Sequence, residues 1–123
     1  LMIDYGYLKS NNQNTLQSVM KHKKNNILKN LGKADITSHV NFLLLKEFFL
    51  KNNLKVKNII SQAQFLKKMG ILERAEILSK NMRFNDKVNL VLKLKRLLGT
   101  RLMGDLFKVI LAYKFKNDNY FGF

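Results

Sequence analysis

The heptapeptide LMIDYGY (residues 1–7) opens the chain, and in it a short apolar run meets an aspartate and then a glycine. This pattern predicts the last residues of a buried strand, followed by a turn at Asp4–Gly6. A fully buried strand needs neighbours on both sides, as in the interior of a parallel sheet. We therefore expect the chain to be the C-terminal portion of a longer protein whose sheet it completes.

Working outward, the rest of the chain alternates helix and strand patterns. Further strands are predicted at 56–60 and 106–113, and helices at 42–50, 62–69, 71–81 and 87–98. The pattern at 15–20 predicts a short helical turn. The predicted helix at 42–50 is apolar around most of its circumference, so we expect it to be buried on most sides. Asn41 and Ser61 are placed as N-caps. The fold class is α/β with an incomplete sheet, in residues 1–113, followed by a loose polar and aromatic tail at 114–123.

Composition excludes several kinds of site. The chain has no cysteine, two histidines, five aspartates and three glutamates, and the acidic residues are scattered. We therefore expect no disulfide, no thiol chemistry and no metal site. No apolar run approaches the roughly 20 residues that span a bilayer. No secretory signal is visible, which favours the cytoplasm or the mitochondrial matrix over secretion.

The net charge of +15 is almost entirely lysine, with 19 lysines and four arginines. Specific nucleic-acid recognition prefers arginine, and 15 asparagines beside the lysines indicate compositional drift. We therefore expect no specific nucleic-acid partner. A small basic module that binds nucleic acid or an acidic partner without catalysis stays the alternative function. The helix at 87–98, with Arg101, could lie on an acidic membrane or partner, or pack its leucines on the sheet.

Three residues are candidates for a site. Asp4 and Tyr5 follow a strand end, where open α/β sheets bind ligands, although Asp4 could equally be a turn former beside Gly6. His39 precedes a helix and could act as a general base, or be a half-buried histidine bonded to a backbone carbonyl. His22 lies among lysines and reads as part of a solvated loop. No Gly-rich phosphate loop is present in this chain.

Several motifs, in order, resemble the MidA-like family of S-adenosylmethionine-dependent methyltransferases. The matching segments are Ile3-Asp4-Tyr5-Gly6, Thr15-Leu16-Gln17 with His22, the block from Asp35 to Phe42, Gln62 with Phe65-Leu66, Gly70-Ile71 and Arg74, and Met103-Gly104 with Phe107-Lys108-Val109. Ser38 stands where the family often has alanine, and Asn41 where it usually has aspartate. The similarity runs from residue 1 to about residue 113.

The resemblance implies the C-terminal part of a class I Rossmann-like fold, with strands five to seven and their helices. The last strand would run antiparallel, inserted between the other two. The Gly-rich cofactor loop and the acidic ribose-binding residue would precede residue 1, so this chain would hold no cofactor-binding residue and be inactive alone. Family members include mitochondrial protein-arginine methyltransferases of complex I assembly, which implies an arginine side chain in a protein as the acceptor. Asp4, Tyr5 and His39 would lie on the substrate side, and the oligomeric state stays open.

Overall fold

The computed structural model describes residues 1–9, 14–115 and 120–123, which form a mixed α/β structure. The strands and helices follow one another as β1 (Met2–Tyr7), β2 (Gln17–Met20), β3 (Lys23–Asn25), β4 (Asp35–Thr37), β5 (Val40–Asn41), α1 (Phe42–Lys51), β6 (Lys55–Val56), β7 (Ile60–Ser61), α2 (Gln62–Lys68), α3 (Ile71–Ser79), α4 (Phe84–Leu98), α5 (Met103–Leu106), β8 (Phe107–Ile110) and β9 (Ala112–Tyr113).

The largest sheet has four strands in the order β5-β1-β8-β7. Strand β8 runs antiparallel to both β1 and β7 and lies between them, as the family resemblance implied. The predicted strand at 106–113 is split, because its last two residues form β9 and pair with β6 in a separate two-stranded sheet. The predicted strand at 56–60 is split in the same way, between β6 and β7.

Strand β1 pairs in parallel with β5 only at its carboxyl end, where Gly6 lies opposite Val40 and Tyr7 opposite Asn41. Glycine is required at this close approach: a Cβ at position 6 would lie 2.2 Å from the Val40 carbonyl oxygen. Along the rest of β1, the described chain pairs only with β8. Ile3 is accordingly 42% exposed, so the expected full burial of this strand is not met within the described chain.

Helix α1 begins at the predicted cap, since the backbone N–H of Leu44 donates to the Asn41 side chain at 3.1 Å. Its Phe42 is fully buried, but Leu44 and Phe48 are 63% and 59% exposed. The prediction of a helix buried around most of its circumference is therefore wrong for the described chain. The sheet covers only one side of α1.

Helix α2 begins with a capping box in which Ser61 and Gln64 exchange side-chain and backbone hydrogen bonds. Gln62, buried at the start of this helix, donates to the carbonyl oxygen of Leu97 at 3.1 Å. That carbonyl belongs to the last turn of α4, where helical carbonyls have no partner within the helix. The side chain of Gln62 thus ties α2 to the end of α4.

The predicted helical turn at 15–20 is wrong, because residues 17–20 form β2, the central strand of a three-stranded sheet ordered β3-β2-β4. Strands β2 and β3 are joined by Lys21 and His22, both with positive φ, as two-residue hairpins require. The basic loop is exposed, as predicted. Residues 17–20 form a strand despite their local helical preference, because β2 pairs with a neighbouring strand on each of its two edges.

Part of the tail packs against the domain. The ring of Phe123 lies 5.6 Å from that of Phe65 in α2. Gly122 is buried with a φ of 87°, and a Cβ there would meet the same Phe65 ring at 2.4 Å. The loose arrangement expected for 114–123 therefore does not hold for Gly122 and Phe123, and residues 116–119 lie outside the described chain.

Candidate functional site

The carboxyl ends of β1, β5 and β7 meet at one edge of the main sheet. Strands β1 and β5 are parallel, and β7 runs in the same direction because both β1 and β7 are antiparallel to β8. The amino end of β8, at Phe107, lies at this same edge. Open α/β sheets bind ligands outside the carboxyl ends of their strands, so this edge is the candidate site.

Tyr5 is at the centre of an aromatic cluster at this edge. Its ring meets that of His39 edge-on, with centroids 5.5 Å apart and planes at 69°. The ring of Phe107, opposite Tyr5 on β8, meets it at 5.6 Å and 84°. Edge-to-face pairs at these distances are favourable beyond the area they bury. The Tyr5 ring is therefore held from two sides.

His39 lies in the short connection between β4 and β5. Its backbone N–H donates to the hydroxyl oxygen of Thr15 at 3.1 Å, which ties the connection to the segment before β2. The side chain is half-buried. Within the described chain the imidazole has no hydrogen-bond partner, so the backbone-carbonyl anchor considered from the sequence is not seen. Both ring nitrogens can therefore exchange protons or hydrogen bonds with a bound molecule.

Asp4 is half-buried, and one of its carboxylate oxygens accepts a hydrogen bond from the Tyr5 backbone N–H at 2.8 Å. Since successive strand residues point to opposite faces, Asp4 and Tyr5 lie on opposite faces of β1. Lys108 of β8 is the residue directly opposite Asp4. The structure thus brings Tyr5 and His39 together and places Asp4 with Lys108 on the other face.

A cavity of about 380 Å³ opens beside Lys108 at the same edge. Six residues supply its polar lining: Ser61, Gln64, Lys67, Thr100, Asp105 and Lys108. The Lys108 ammonium also donates to the backbone carbonyl of Asp105. Sequence reasoning missed Asp105 and Lys108 as candidates, because only the register of β8 against β1 and β7 brings them to this edge.

The described chain offers no open glycine cradle for a cofactor at this edge. A Cβ at Gly6 would meet the Val40 carbonyl at 2.2 Å, and one at Gly104 would meet the Leu98 carbonyl at 2.5 Å. At both glycines, the chain's own backbone occupies the space beside the Cα. No group of three histidine, aspartate or glutamate side chains that could hold a metal ion occurs in the part of the chain that the structure describes.

Residues 1–60 match the profile of a family described as "Putative S-adenosyl-L-methionine-dependent methyltransferase". The resemblance to this methyltransferase family is confirmed. Asp4, Tyr5 and His39 all lie within the matched residues.

Two solved structures from Burkholderia thailandensis, both of members of one superfamily, resemble the whole described arrangement. One, a native crystal structure, is 26% identical with a TM-score of 0.79 and matches 98% of this chain. The other, bound to S-adenosyl-homocysteine, is 25% identical with a TM-score of 0.80 over the same share. The chain spans 33% and 32% of the length of these two relatives.

None of the helices in the described ranges is long and apolar enough to cross a bilayer.

Proposed function

We propose that this chain forms part of an S-adenosylmethionine-dependent methyltransferase and that the edge carrying Asp4, Tyr5 and His39 faces the methyl acceptor. The family match over residues 1–60 carries the proposal, because it contains all three candidates. A relative bound to S-adenosyl-homocysteine, the product left when the cofactor loses its methyl group, supports the choice of cofactor. No residue of this chain is assigned to the cofactor.

When bound, S-adenosylmethionine supplies an electrophilic methyl group. The work left to this chain is to hold the acceptor and to remove the proton that the acceptor loses. His39 is suited to the second task, since its imidazole is half-buried and has no partner within the described chain. Tyr5 holds the imidazole by its edge-on contact at 5.5 Å. The carboxylate of Asp4 has one oxygen engaged by the Tyr5 N–H and lies on the other face of β1, so it takes no part in removing this proton.

For the acceptor we propose an arginine side chain in a protein substrate, on the basis of the family resemblance. A guanidinium keeps its proton at neutral pH, so its nitrogen must lose that proton as the bond to carbon forms. This requirement matches a site with a histidine base.

The test is a methyl-transfer assay with the protein produced from its complete gene, tritium-labelled S-adenosylmethionine and total cell protein from a strain lacking the gene. We expect label in methylarginine after hydrolysis. His39→Ala should lower the rate by about 10²- to 10⁴-fold, the usual contribution of a general base, with binding of S-adenosyl-homocysteine unchanged. His22→Asn, at the exposed hairpin turn, is the matched control and should keep the wild-type rate.

Each result bears on a separate part of the proposal. Label in another amino acid would refute the arginine acceptor while leaving the enzyme class intact. A His39→Ala variant with the wild-type rate would refute the base. Residues 1–123 produced alone should bind no S-adenosylmethionine in titration calorimetry, and micromolar binding would contradict the assignment of the cofactor to residues outside this chain.

A further inference from the structure

Two residues, Ser38 and His39, join β4 to β5 and carry the chain from the three-stranded sheet into the main sheet. Strand pairing fixes this connection at each end, because β4 pairs with β2 and β5 pairs with β1. Between these two anchors, His39 pairs with none of the described strands. The direction of its imidazole therefore depends on what else holds the His39 backbone.

Thr15 supplies this hold. In the ladder between β2 and β4, Gln17 pairs with Thr37, and the same antiparallel register continued by two residues sets Thr15 opposite His39. The ladder has ended by this point, and the His39 N–H donates to the hydroxyl oxygen of Thr15 at 3.1 Å. A side-chain oxygen thus takes the place of a backbone carbonyl, and the chain leaves the small sheet with this N–H still paired.

Threonine is well suited to this role. Its branched Cβ restricts χ1, so its hydroxyl is held in a defined position. Thr15 and His39 are both half-buried, and water has less access to their bond than it would at an exposed site. Without the acceptor, a half-buried N–H would lose its partner, and the φ and ψ angles of the two-residue connection would be free to change.

The position of the imidazole depends on these angles. It meets the Tyr5 ring edge-on, with centroids 5.5 Å apart, and the next residue after His39, Val40, pairs with Gly6 on β1. The Tyr5 ring and this pairing hold the imidazole from the main sheet, whereas the bond to Thr15 holds it from the small sheet. Even a small misplacement of a catalytic group costs a large factor in rate.

We propose that Thr15 is a positioning residue for methyl transfer, which orients the imidazole of His39 against Tyr5 by holding the His39 backbone. This inference rests on the proposed function, because it takes His39 as the base. The orientation of the imidazole can be measured apart from the rate, so the two proposals fail in different ways.

The decisive variant is Thr15→Val, which keeps the shape of the side chain and removes the acceptor oxygen. In the methyl-transfer assay with the protein produced from its complete gene, kcat should fall about 10- to 100-fold, with the KM for S-adenosylmethionine unchanged. Thr15→Ser keeps the hydroxyl and should retain the rate within about threefold. In a His39→Ala background, Thr15→Val should change the rate by less than about twofold, since no imidazole is left to position.

Thr37→Val is the matched control. Thr37 lies two residues before His39, and its buried hydroxyl oxygen has no hydrogen-bond partner within the described chain. The same exchange therefore removes no hydrogen bond there, and the variant should keep the wild-type rate. An equal loss of rate in Thr37→Val and Thr15→Val would overturn the proposal, because it would indicate a general disturbance of the small sheet. The same loss from Thr15→Val with and without His39 would overturn it as well.

Nuclear magnetic resonance reports the orientation directly. The ring protons of His39, identified by their absence in His39→Ala, should change chemical shift in Thr15→Val, as the imidazole moves relative to the Tyr5 ring, and keep it in Thr37→Val. Unchanged ring shifts in Thr15→Val, or a full rate in Thr15→Val beside the expected loss in His39→Ala, would overturn the positioning role alone. A wild-type rate in His39→Ala would overturn the base, and with it any role of Thr15 in methyl transfer, even where the ring shifts move.

Discussion

Replacing Gly6 by alanine is the sharpest perturbation of the candidate site, because it acts where β1 and β5 meet. An added Cβ would lie 2.2 Å from the Val40 carbonyl oxygen and 2.7 Å from a ring carbon of Phe42. Ordinary van der Waals contact begins near 3.4 Å. The Val40 backbone would therefore have to move by about 1.2 Å, and backbone cannot yield as the end of a flexible side chain does.

The expected cost follows from what this movement breaks. A hydrogen bond lengthened by about 1 Å is lost, and β1 and β5 are held together only at Gly6–Val40 and Tyr7–Asn41. Two lost backbone bonds cost about 2 kcal/mol, and repacking the fully buried Phe42 adds about 1–3 kcal/mol. We expect Gly6→Ala to lower the free energy of unfolding by about 3–5 kcal/mol, a large share of a typical domain's stability.

Guanidinium unfolding of the protein produced from its complete gene, followed by circular dichroism, measures this loss. Gly32→Ala is the control, since no atom lies within 4 Å of an added Cβ at position 32, although Gly32, unlike Gly6, has a positive φ of 74°. It should cost only the left-handed strain, about 1–2 kcal/mol. A loss for Gly6→Ala within 1 kcal/mol of that for Gly32→Ala would refute the argument from close approach.

Three further substitutions test contacts that hold the fold, each by denaturant unfolding. Gln62→Leu should cost about 1–3 kcal/mol, because it leaves the part-buried carbonyl of Leu97 without its donor; an unchanged midpoint would contradict this role of Gln62. Asn41→Ala should cost about 0.5–2 kcal/mol by removing the N-cap of α1, while an aspartate at that position should restore it. Phe123→Ala should cost about 1–2 kcal/mol through the lost ring contact, whereas Phe121→Ala, at an exposed position, should cost almost nothing, and equal losses would contradict the packing of the tail.

Local signals predicted the helices well. Asn41 and Ser61 act where the sequence placed them, as the caps of α1 and α2. Each of these depends on residues within one turn of the helix end, and such signals are complete in a short window. The start of α4 was less well predicted, because the helix begins at Phe84, three residues before the predicted start, after a cap at Arg83 that makes no side-chain hydrogen bond.

Signals that depend on distant pairing were the ones that failed. Residues 17–20 have a weak helical pattern but form β2, since strands at 23–25 and 35–37 pair on both of its edges. The strand at 106–113 is divided at Leu111 because β6 captures its last two residues. The exposure of Leu44 and Phe48 could not be inferred from periodicity, because burial depends on which side of a helix the rest of the protein covers.

The difference between local signals and long-range pairing also explains how much of the candidate site could be predicted. Asp4 and Tyr5 were found because they lie at a strand end, and that signal is local. The contact between Tyr5 and His39 joins residues 34 positions apart, and Phe107 reaches the cluster only through the antiparallel register of β8. Neither partner could be assigned from spacing, and the strand's alternation places Asp4 on the other face.

Gly6 connects the fold to this site. The parallel pairing of β5 with β1 determines where the connection carrying His39 enters the sheet, and that pairing needs a residue without a Cβ opposite Val40. In the Asp-Tyr-Gly sequence, Tyr5 contacts His39 and Gly6 allows β5 to approach closely enough for that contact to form. If this reasoning is correct, Gly6→Ala should lower methyl transfer even under conditions where the variant stays folded, and it should do so without changing the binding of S-adenosyl-homocysteine. Equal losses of methyl transfer and of this binding would instead indicate general destabilisation.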